Sequence, residues 1–297
     1  NIRFIIDELT REGWLGGTVG MEFWSYVPNR AISIMFEGAF LAAGCKVTDA
    51  SRLLRDARRV KSATEQSYIK KAMEICDVGH QAIIDNMAEG MTELELFGIV
   101  HATMMAAGGE FPALIPIFNA RPVIDGRVVS TGHAMASRRP ITKHSVLVAD
   151  LCGVYYRYHA NALRGFYFGD DPPASMVTQY QKSAGVFDVI RDEVHAGMTV
   201  RDVNRRLRQY YEEAGIWTET DGWGLGYELG LSFPPDWVGD FYFHLGDDKY
   251  LDRVFVEHMV TNYESLFDTA LIDTLIYGKE KTQVLSQTPR ELLIIEA

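Results

Sequence analysis

The sequence has few cysteines, no excess of basic residues and no long apolar run. Its three cysteines, Cys45, Cys76 and Cys152, lie far apart without a CxxC pair, which excludes a disulfide framework and is typical of a reducing, cytoplasmic setting. With 29 basic against 40 acidic residues and a net charge of −11, a nucleic-acid partner is not expected. No apolar segment reaches the roughly 18 residues that a membrane-spanning helix needs, so no membrane partner is expected either.

The first part of the chain has the pattern of a small α/β unit. Alternating helix and strand signals predict strands at Thr18–Phe23 and Lys46–Thr48, with a helix over about 30–43 between them. The chain opens without methionine in an amphipathic pattern, which predicts that it starts inside a longer protein. We therefore expect residues 1–57 to be the end of an N-terminal α/β domain. The basic stretch RLLRDARRVKS (52–62) would connect it to a second domain over 58–297.

An internal repeat organises the second domain. The segment EGMTELELFGIVHATMMAAGG (89–109) matches AGMTVRDVNRRLRQYYEEAGI (196–216) without a gap. In each copy a threonine can cap a helix and a glycine can end it, over Thr92–Ala107 and Thr199–Ala214. A long helical pattern precedes each copy and strand-like sequence follows it. The repeat predicts two helix–helix–strand halves, 58–170 and 171–297, around a pseudo-twofold axis, with a ligand site between them.

Polar residues on one predicted strand pair are the first candidates for chemistry. Asp150 ends the apolar run SVLVAD, and a hairpin would place Asn161 on the adjacent strand, facing the same way as His159. Two carboxylates in such a pair can share a metal, but one of these residues is an amide. In the later run FPPDW, two prolines fix the backbone, so that Asp236 can hold a cationic group and Trp237 can form an apolar wall. A plain surface turn is the alternative for this segment.

These motifs resemble the superfamily of methionine aminopeptidase, prolidase and creatinase. The strand pair of that superfamily reads D-x-G followed by GY-x-x-D-x-x-R, and Asp150, Tyr158 and Arg164 stand at matching spacings. The resemblance covers about residues 58–297 and implies the α+β "pita-bread" fold of two pseudo-twofold related halves, preceded here by the end of the smaller α/β domain. It also implies a homodimer.

The resemblance brings a set of metal-ligand positions with it. Metal-dependent members use five ligands, of which Asp150 occupies the first position, while Asn161 and Tyr227 occupy the second and third. The two late glutamates fall near Val260 and Ile272, where one residue of slippage brings in His258 or Asp273. Because a dinuclear site needs several anionic oxygens, we expect that no metal and no other cofactor is bound.

A metal-free branch of the superfamily supplies another role. In creatinase a histidine before the first ligand strand transfers the proton, and His133 in STGHAMAS stands at that position; a packing or surface histidine is the alternative. The ectoine hydrolase branch is a closer match, because its G-C-Y-x-R-Y-H and GY-x-x-G-x-x-x-PPDW runs resemble GVYYRYH (153–159) and GYELGLSFPPDW (226–237).

The sequence therefore predicts a metal-independent, cytoplasmic hydrolase that cleaves a C–N bond of a small nitrogen-rich compound. His133 and Asp150 are the predicted catalytic residues. The predicted substrate-binding residues are His159, Asn161, Tyr227, Asp236, Trp237 and His258. A metal-dependent Xaa-Pro dipeptidase or aminopeptidase is the first alternative, and a catalytically inactive binding module of the same fold is the second. A lyase is also compatible with the fold.

Overall fold

The described chain divides into two compact units. A computed structural model describes residues 2–24, 28–113, 115–128, 133–219, 222–231, 241–267 and 269–296. Contacts group the chain into Asn1–Arg58 and Arg59–Ala297. No helix among these residues is long and apolar enough to cross a membrane.

The first unit contains the helices and strands that the alternating pattern predicted. Helix α1 (Ile2–Arg11) leads to strand β1 (Thr18–Met21), and helix α2 (Arg30–Ala42) leads to strand β2 (Lys46–Asp49). The two strands pair in parallel, from Thr18 opposite Lys46. Asn29 caps α2, since its side chain accepts a hydrogen bond from the Ile32 N–H at 3.2 Å. Most of the basic stretch forms helix α3 (Ser51–Arg59).

The second unit repeats one helical arrangement twice. Helices α4 (Ala63–Asn86) and α5 (Glu93–Ala106) belong to the first half, and helices α6 (Ala174–Glu193) and α7 (Val200–Glu213) belong to the second. Thr92 and Thr199 cap α5 and α7 with equivalent hydrogen bonds of 3.2 Å to the third helical residue. Gly108 and Gly215, two residues after each helix, have positive φ angles of 93° and 69°, a conformation that favours glycine.

Ten strands of the described chain form one sheet. They are β3 (Ile117–Ile124), β4 (Arg127–Val128), β5 (Ser145–Tyr155), β6 (Tyr158–Phe168), β7 (Gly222–Tyr227), β8 (Tyr242–His244), β9 (Val260–Phe267), β10 (Leu271–Tyr277), β11 (Thr282–Val284) and β12 (Leu293–Ile295). The order is β4-β3-β5-β6-β10-β9-β7-β8, with β11 beside β10 and β12 beside β6. Each half contributes a hairpin, β5–β6 or β9–β10, and the halves join where β6 pairs with β10.

One face of this sheet packs against the helices. Gly153 on β5 lies so close to α4 that an added Cβ would lie 1.8 Å from the carbonyl oxygen of Ala72; only glycine allows this approach. Tyr263 on β9 contacts Phe187 of α6 and Tyr211 of α7. Side chains alternate between the two faces along a strand. Asp150 lies three positions before Gly153, and Glu264 directly follows Tyr263, so both acids point to the face opposite the helices. That opposite face carries the candidate site.

Candidate active site

Two carboxylates belong to one row of paired residues that crosses the sheet. Asp150 on β5 pairs with Leu163 on β6, Leu163 pairs with Ile272 on β10, and Ile272 pairs with Glu264 on β9. Residues directly opposite each other in antiparallel strands point to the same face. Asp150 and Glu264 are partly accessible, whereas Leu163 and Ile272 are each 3% exposed. The row therefore presents two acids across an apolar floor.

Asn161 lies beside Asp150 and has a fixed orientation. Its side-chain N–H donates to Asp150 Oδ1 at 3.2 Å. The hydroxyl of Thr274 donates to the Asn161 carbonyl at 2.9 Å and accepts from the Asn161 N–H at 3.0 Å. The Oδ1 of Asn161 is buried and has no hydrogen-bond partner among the described residues. Because a buried acceptor without a donor is costly, this oxygen is a natural contact for a ligand N–H.

Glu264 is held by two polar neighbours. The side-chain N–H of Asn262 donates to Glu264 Oε1 at 3.0 Å, and the Tyr227 hydroxyl also hydrogen-bonds this carboxylate. The backbone N–H of Tyr227 donates in turn to Asn262 Oδ1 at 3.0 Å. Asn262 is fully buried, so the network fixes Glu264 and the Tyr227 ring together.

The electrostatics of this cluster are dominated by its two acids. Burial and then the charge of Glu264 raise the pKa of Asp150 to about 7, against the opposing effects of Asn161 and Arg164. Burial likewise raises the pKa of Glu264. Burial, and then the negative charges of Glu264 and Asp150, raise the pKa of the Tyr227 phenol. No basic side chain of the described residues forms an ion pair with either carboxylate. Two such acids favour a shared proton or a bound cation.

The structure places His133 on an exposed segment next to this strand system. The carbonyl of Ala134, its neighbour, accepts a hydrogen bond from the Phe118 N–H on β3 at 3.0 Å. Ile117, the residue before Phe118, pairs with Asp150. The His133 side chain is exposed and is therefore accessible to a small molecule. Its catalytic role stays a prediction.

The other predicted substrate-binding residues lie in different settings. Asn161 and Tyr227 belong to the cluster around the two acids. His258 is exposed, has a φ of 67° and lines a separate surface cavity of about 590 Å³ together with Lys61 and Ser62. Asp236 and Trp237 lie outside the described residues. Asp273, the alternative ligand, points to the helix face, where it pairs with Arg164 at 2.9 Å.

His159 is fully buried, and both of its ring nitrogens are engaged with the backbone. Nε2 accepts from the Ala113 N–H at 3.1 Å, so Nδ1 carries the proton and donates to the Arg157 carbonyl at 2.8 Å. This geometry favours a structural role for a neutral imidazole, and the predicted contact with substrate stays untested.

We expect His159 to make the fold sensitive to acid. Burial lowers its pKa from 6.5 to about 4, so the unfolded chain takes up this proton first as the pH falls. The stability due to the neutral ring is complete above pH 6.5 and is lost as the pH falls toward 4. Between these values the free energy of unfolding should fall by roughly 2–3 kcal/mol more in the wild type than in His159→Gln. Urea unfolding at several pH values measures this difference, and parallel curves for the two proteins would contradict it.

Glu264 was not predicted from the sequence. The late carboxylate was expected near Val260, but Val260 belongs to the apolar core, and the acid that interacts with Asp150 lies four residues further along β9. Two features of the sequence point to Glu264. It is the one acidic residue in the strand VTNYESLF, and, four positions from Val260, it lies on the same face of the strand.

The donor set does not fit a pair of divalent metals. Of the expected ligand positions, only that of Asp150 carries a carboxylate. Three others carry the amide of Asn161, whose N–H faces Asp150, the phenol of Tyr227 and the side chain of Ile272. Glu264 adds one further carboxylate. Among the described residues no group of three or more His, Cys, Asp or Glu side chains is arranged to hold a metal ion. Dinuclear sites need more anionic oxygen than two carboxylates supply.

Comparisons with known proteins agree with this architecture. The chain is 22% identical to ectoine hydrolase from Halomonas elongata over 96% of its own length and 72% of that protein. It is 25% identical to a Xaa-Pro dipeptidase from Pyrococcus horikoshii, over 94% of the chain and 76% of that protein. The structure of X-Pro aminopeptidase from Thermotoga maritima superposes with a TM-score of 0.80 at 19% identity, covering 99% of this chain and 78% of that one.

The predicted fold and superfamily are confirmed by these similarities. The expected hydrolase class, acting on C–N bonds, is confirmed at the level of the family. The sequence profile of one family matches residues 67–278, well over half of the sequence, and with the two-halved sheet this shows that the chain belongs to metallopeptidase family M24.

Proposed function

We propose that this protein hydrolyses a C–N bond of a small, cationic, nitrogen-rich compound without a metal pair. The observation that carries the proposal is the pair Asp150 and Glu264, two carboxylates without a basic partner among the described residues, at the face where the family resemblance places its metal ligands. We infer that residues 58–297 carry this activity.

The chemistry of the cluster supports an amidinium or guanidinium group in the substrate. Such a group is a planar cation with several N–H donors, which carboxylates bind through short, charge-assisted hydrogen bonds. Asp150 and Glu264 would share its charge, and the unpartnered Oδ1 of Asn161 would accept a further N–H. Leu163 and Ile272 provide the apolar floor between the acids.

Hydrolysis then needs a proton-transfer group in place of a metal-activated water. We assign this role to His133, because imidazole accepts and donates protons near neutral pH. Water adds to the electrophilic carbon and gives up a proton to the imidazole, the C–N bond breaks, and the leaving nitrogen receives that proton. Asp150 binds the cationic nitrogens and thereby holds the carbon in position for the attacking water.

The relatives support this reading in part. One is named for the hydrolysis of ectoine, and the runs around Asp150 and Tyr227 resemble the motifs of the ectoine hydrolase branch. Others are named as Xaa-Pro dipeptidases, so metal-dependent cleavage of Xaa-Pro dipeptides is the second candidate. We further propose a cytoplasmic homodimer that binds a small molecule and neither nucleic acid nor membrane; light scattering that showed a monomer would contradict the dimer.

The test is a substrate panel with and without metal. Ectoine, creatine and the dipeptide Ala-Pro are incubated with purified protein, before and after EDTA treatment, and bound metals are quantified. We expect turnover of ectoine or creatine that EDTA leaves unchanged, with well under one equivalent of divalent metal per chain. Turnover of Ala-Pro that EDTA abolishes and Mn²⁺ or Co²⁺ restores would replace the proposal by the dipeptidase. A folded protein without any turnover would favour the binding module.

A further inference from the structure

A buried carboxylate that the proposed reaction does not use lies at the start of α5. Glu93 is the first residue of that helix and is fully buried. Its Oε1 accepts from the Ala120 N–H at 2.9 Å. Its Oε2 accepts from the N–H and the hydroxyl of Ser137, at 2.9 and 2.7 Å. Buried carboxylates are rare without such compensation, so this site is specifically built.

The helix end does not need this carboxylate as a cap. Thr92 and Glu95 already form a complete capping box, in which each side chain bonds the backbone of the other residue. The charge of Glu93 must therefore be explained by what it binds: the backbone of β3, the guanidinium of Arg121 at 3.6 Å, and Ser137.

The second half of the molecule provides an internal control. Val200, fully buried, takes the place of Glu93 at the start of α7. The same backbone hydrogen bonds tie both helix starts to the following loop: Glu93 N–H to Arg139 O at 3.0 Å, and Val200 N–H to Arg253 O at 2.8 Å. The architecture thus forms with valine in this position, and the carboxylate is particular to the half that contains His133.

The groups that Glu93 binds flank the segment of His133. Ser137 follows His133 closely in sequence, and the carbonyl of Ala134, next to His133, accepts from Phe118 N–H and from Asn119 Nδ2 at 3.0 and 3.2 Å. Residues 134–137 are therefore connected to β3 at both ends, directly at Ala134 and through the carboxylate of Glu93 at Ser137. Since β3 pairs with β5 beside Asp150, this clamp sets His133 relative to Asp150.

We propose that Glu93 is a positioning residue, whose carboxylate clamps Ser137 to β3 and thereby holds His133 in place for proton transfer. This inference rests on the proposed function, because it acts through His133. Small displacements of a catalytic group can lower the rate strongly while substrate binding persists, so the effect should fall on kcat rather than KM.

A double-mutant cycle tests the proposal on whichever of ectoine or creatine is turned over. Glu93→Gln keeps the size but replaces one acceptor oxygen by an N–H₂ group, which cannot accept from Ala120 or Ser137. We expect kcat to fall by about 10- to 100-fold with KM changed by less than about threefold. The control Glu95→Gln weakens the cap of the same helix without touching Ser137 and should leave kcat within about twofold. In a His133→Ala background, Glu93→Gln should cause no further loss.

The cycle separates this inference from the proposed function. If His133→Ala lowers kcat, but the double variant loses the product of the two single-variant losses, Glu93 does not act through His133 and the inference is wrong. If His133→Ala itself has no effect, the proposed function fails and the inference with it. Should Glu93→Gln not fold, Ser137→Ala takes its place in the same cycle, with a smaller expected loss.

Hydrogen exchange gives a readout that needs no substrate. In Glu93→Gln the amides of Ala120 and Ser137 should exchange at least about tenfold faster than in the wild type, while the equivalent region of the second half, Val200 to Arg253, stays unchanged. Unchanged exchange at Ser137 would overturn the proposed clamp.

Discussion

Replacing Asp273 with alanine is expected to lower the free energy of unfolding by about 3–5 kcal/mol, because it leaves the charge of Arg164 buried and unpaired. Both side chains are fully buried and their ion pair measures 2.9 Å. The guanidinium of Arg164 also donates to the carbonyls of Ile272 and Pro289 at 2.8 and 2.9 Å. Asp273 accepts further hydrogen bonds from the Ser286 N–H and from Arg290 Nε, each at 3.0 Å.

Urea unfolding of the purified variants measures this loss. The matched control is Asp188→Ala, which removes one of the two acidic partners of the exposed Arg191 and should change stability by less than about 1 kcal/mol, as is usual for surface ion pairs. A change in Asp273→Ala no larger than in the control would mean that the hydrogen bonds from Arg164 to backbone carbonyls suffice to hold its guanidinium.

His133→Ala is expected to lower kcat by about 10²- to 10⁴-fold, the range that general acid–base catalysis contributes. His133 is exposed, and its neighbour Ala134 accepts a hydrogen bond from Phe118 on β3, so we expect His133 to reach the face that carries Asp150 and Glu264. Because the side chain is not part of the core, the variant should unfold at the same urea concentration as the wild type.

Steady-state kinetics on the substrate found with the panel measures the effect. His195→Ala is a suitable control, since His195 hydrogen-bonds the Ala196 carbonyl at the end of α6, far along the chain from the candidate site, and should keep kcat within about twofold. If His133→Ala retained more than about a tenth of the wild-type kcat, proton transfer would have to be reassigned, with Asp150 as the next candidate.

The helices were predictable from local sequence because their ends are encoded locally. Thr92, Thr199 and the glycines that follow each helix specify caps within a few residues, and the repeat of that pattern was enough to predict two related halves. The β5–β6 hairpin was also expected, although its turn residues Tyr156 and Arg157 take positive φ angles of 47° and 62° without the glycine or asparagine that usually announces such a turn.

The candidate site was only partly predictable because it depends on register between distant strands. Asp150, Asn161 and Tyr227 stand in recognisable motifs, but Glu264 becomes a neighbour of Asp150 only through the pairing of β9 with β10 and of β10 with β6. A shift of one residue in such pairing reverses the face of every side chain. The partnership of Arg164 with Asp273 likewise joins residues 109 positions apart, and no local pattern reveals it.

The seam between β6 and β10 also dictates an order of folding. The first hairpin, β5–β6, closes across a two-residue turn, so its contacts are local and can form early. The partners of Arg164, however, come almost entirely from residues 272–289. During synthesis its charge must stay hydrated until that segment has been made, because an unpaired guanidinium cannot be buried at low cost. Strand β6, which carries Asn161, thus becomes buried only after β10 has been synthesised. The site therefore assembles at the end of folding.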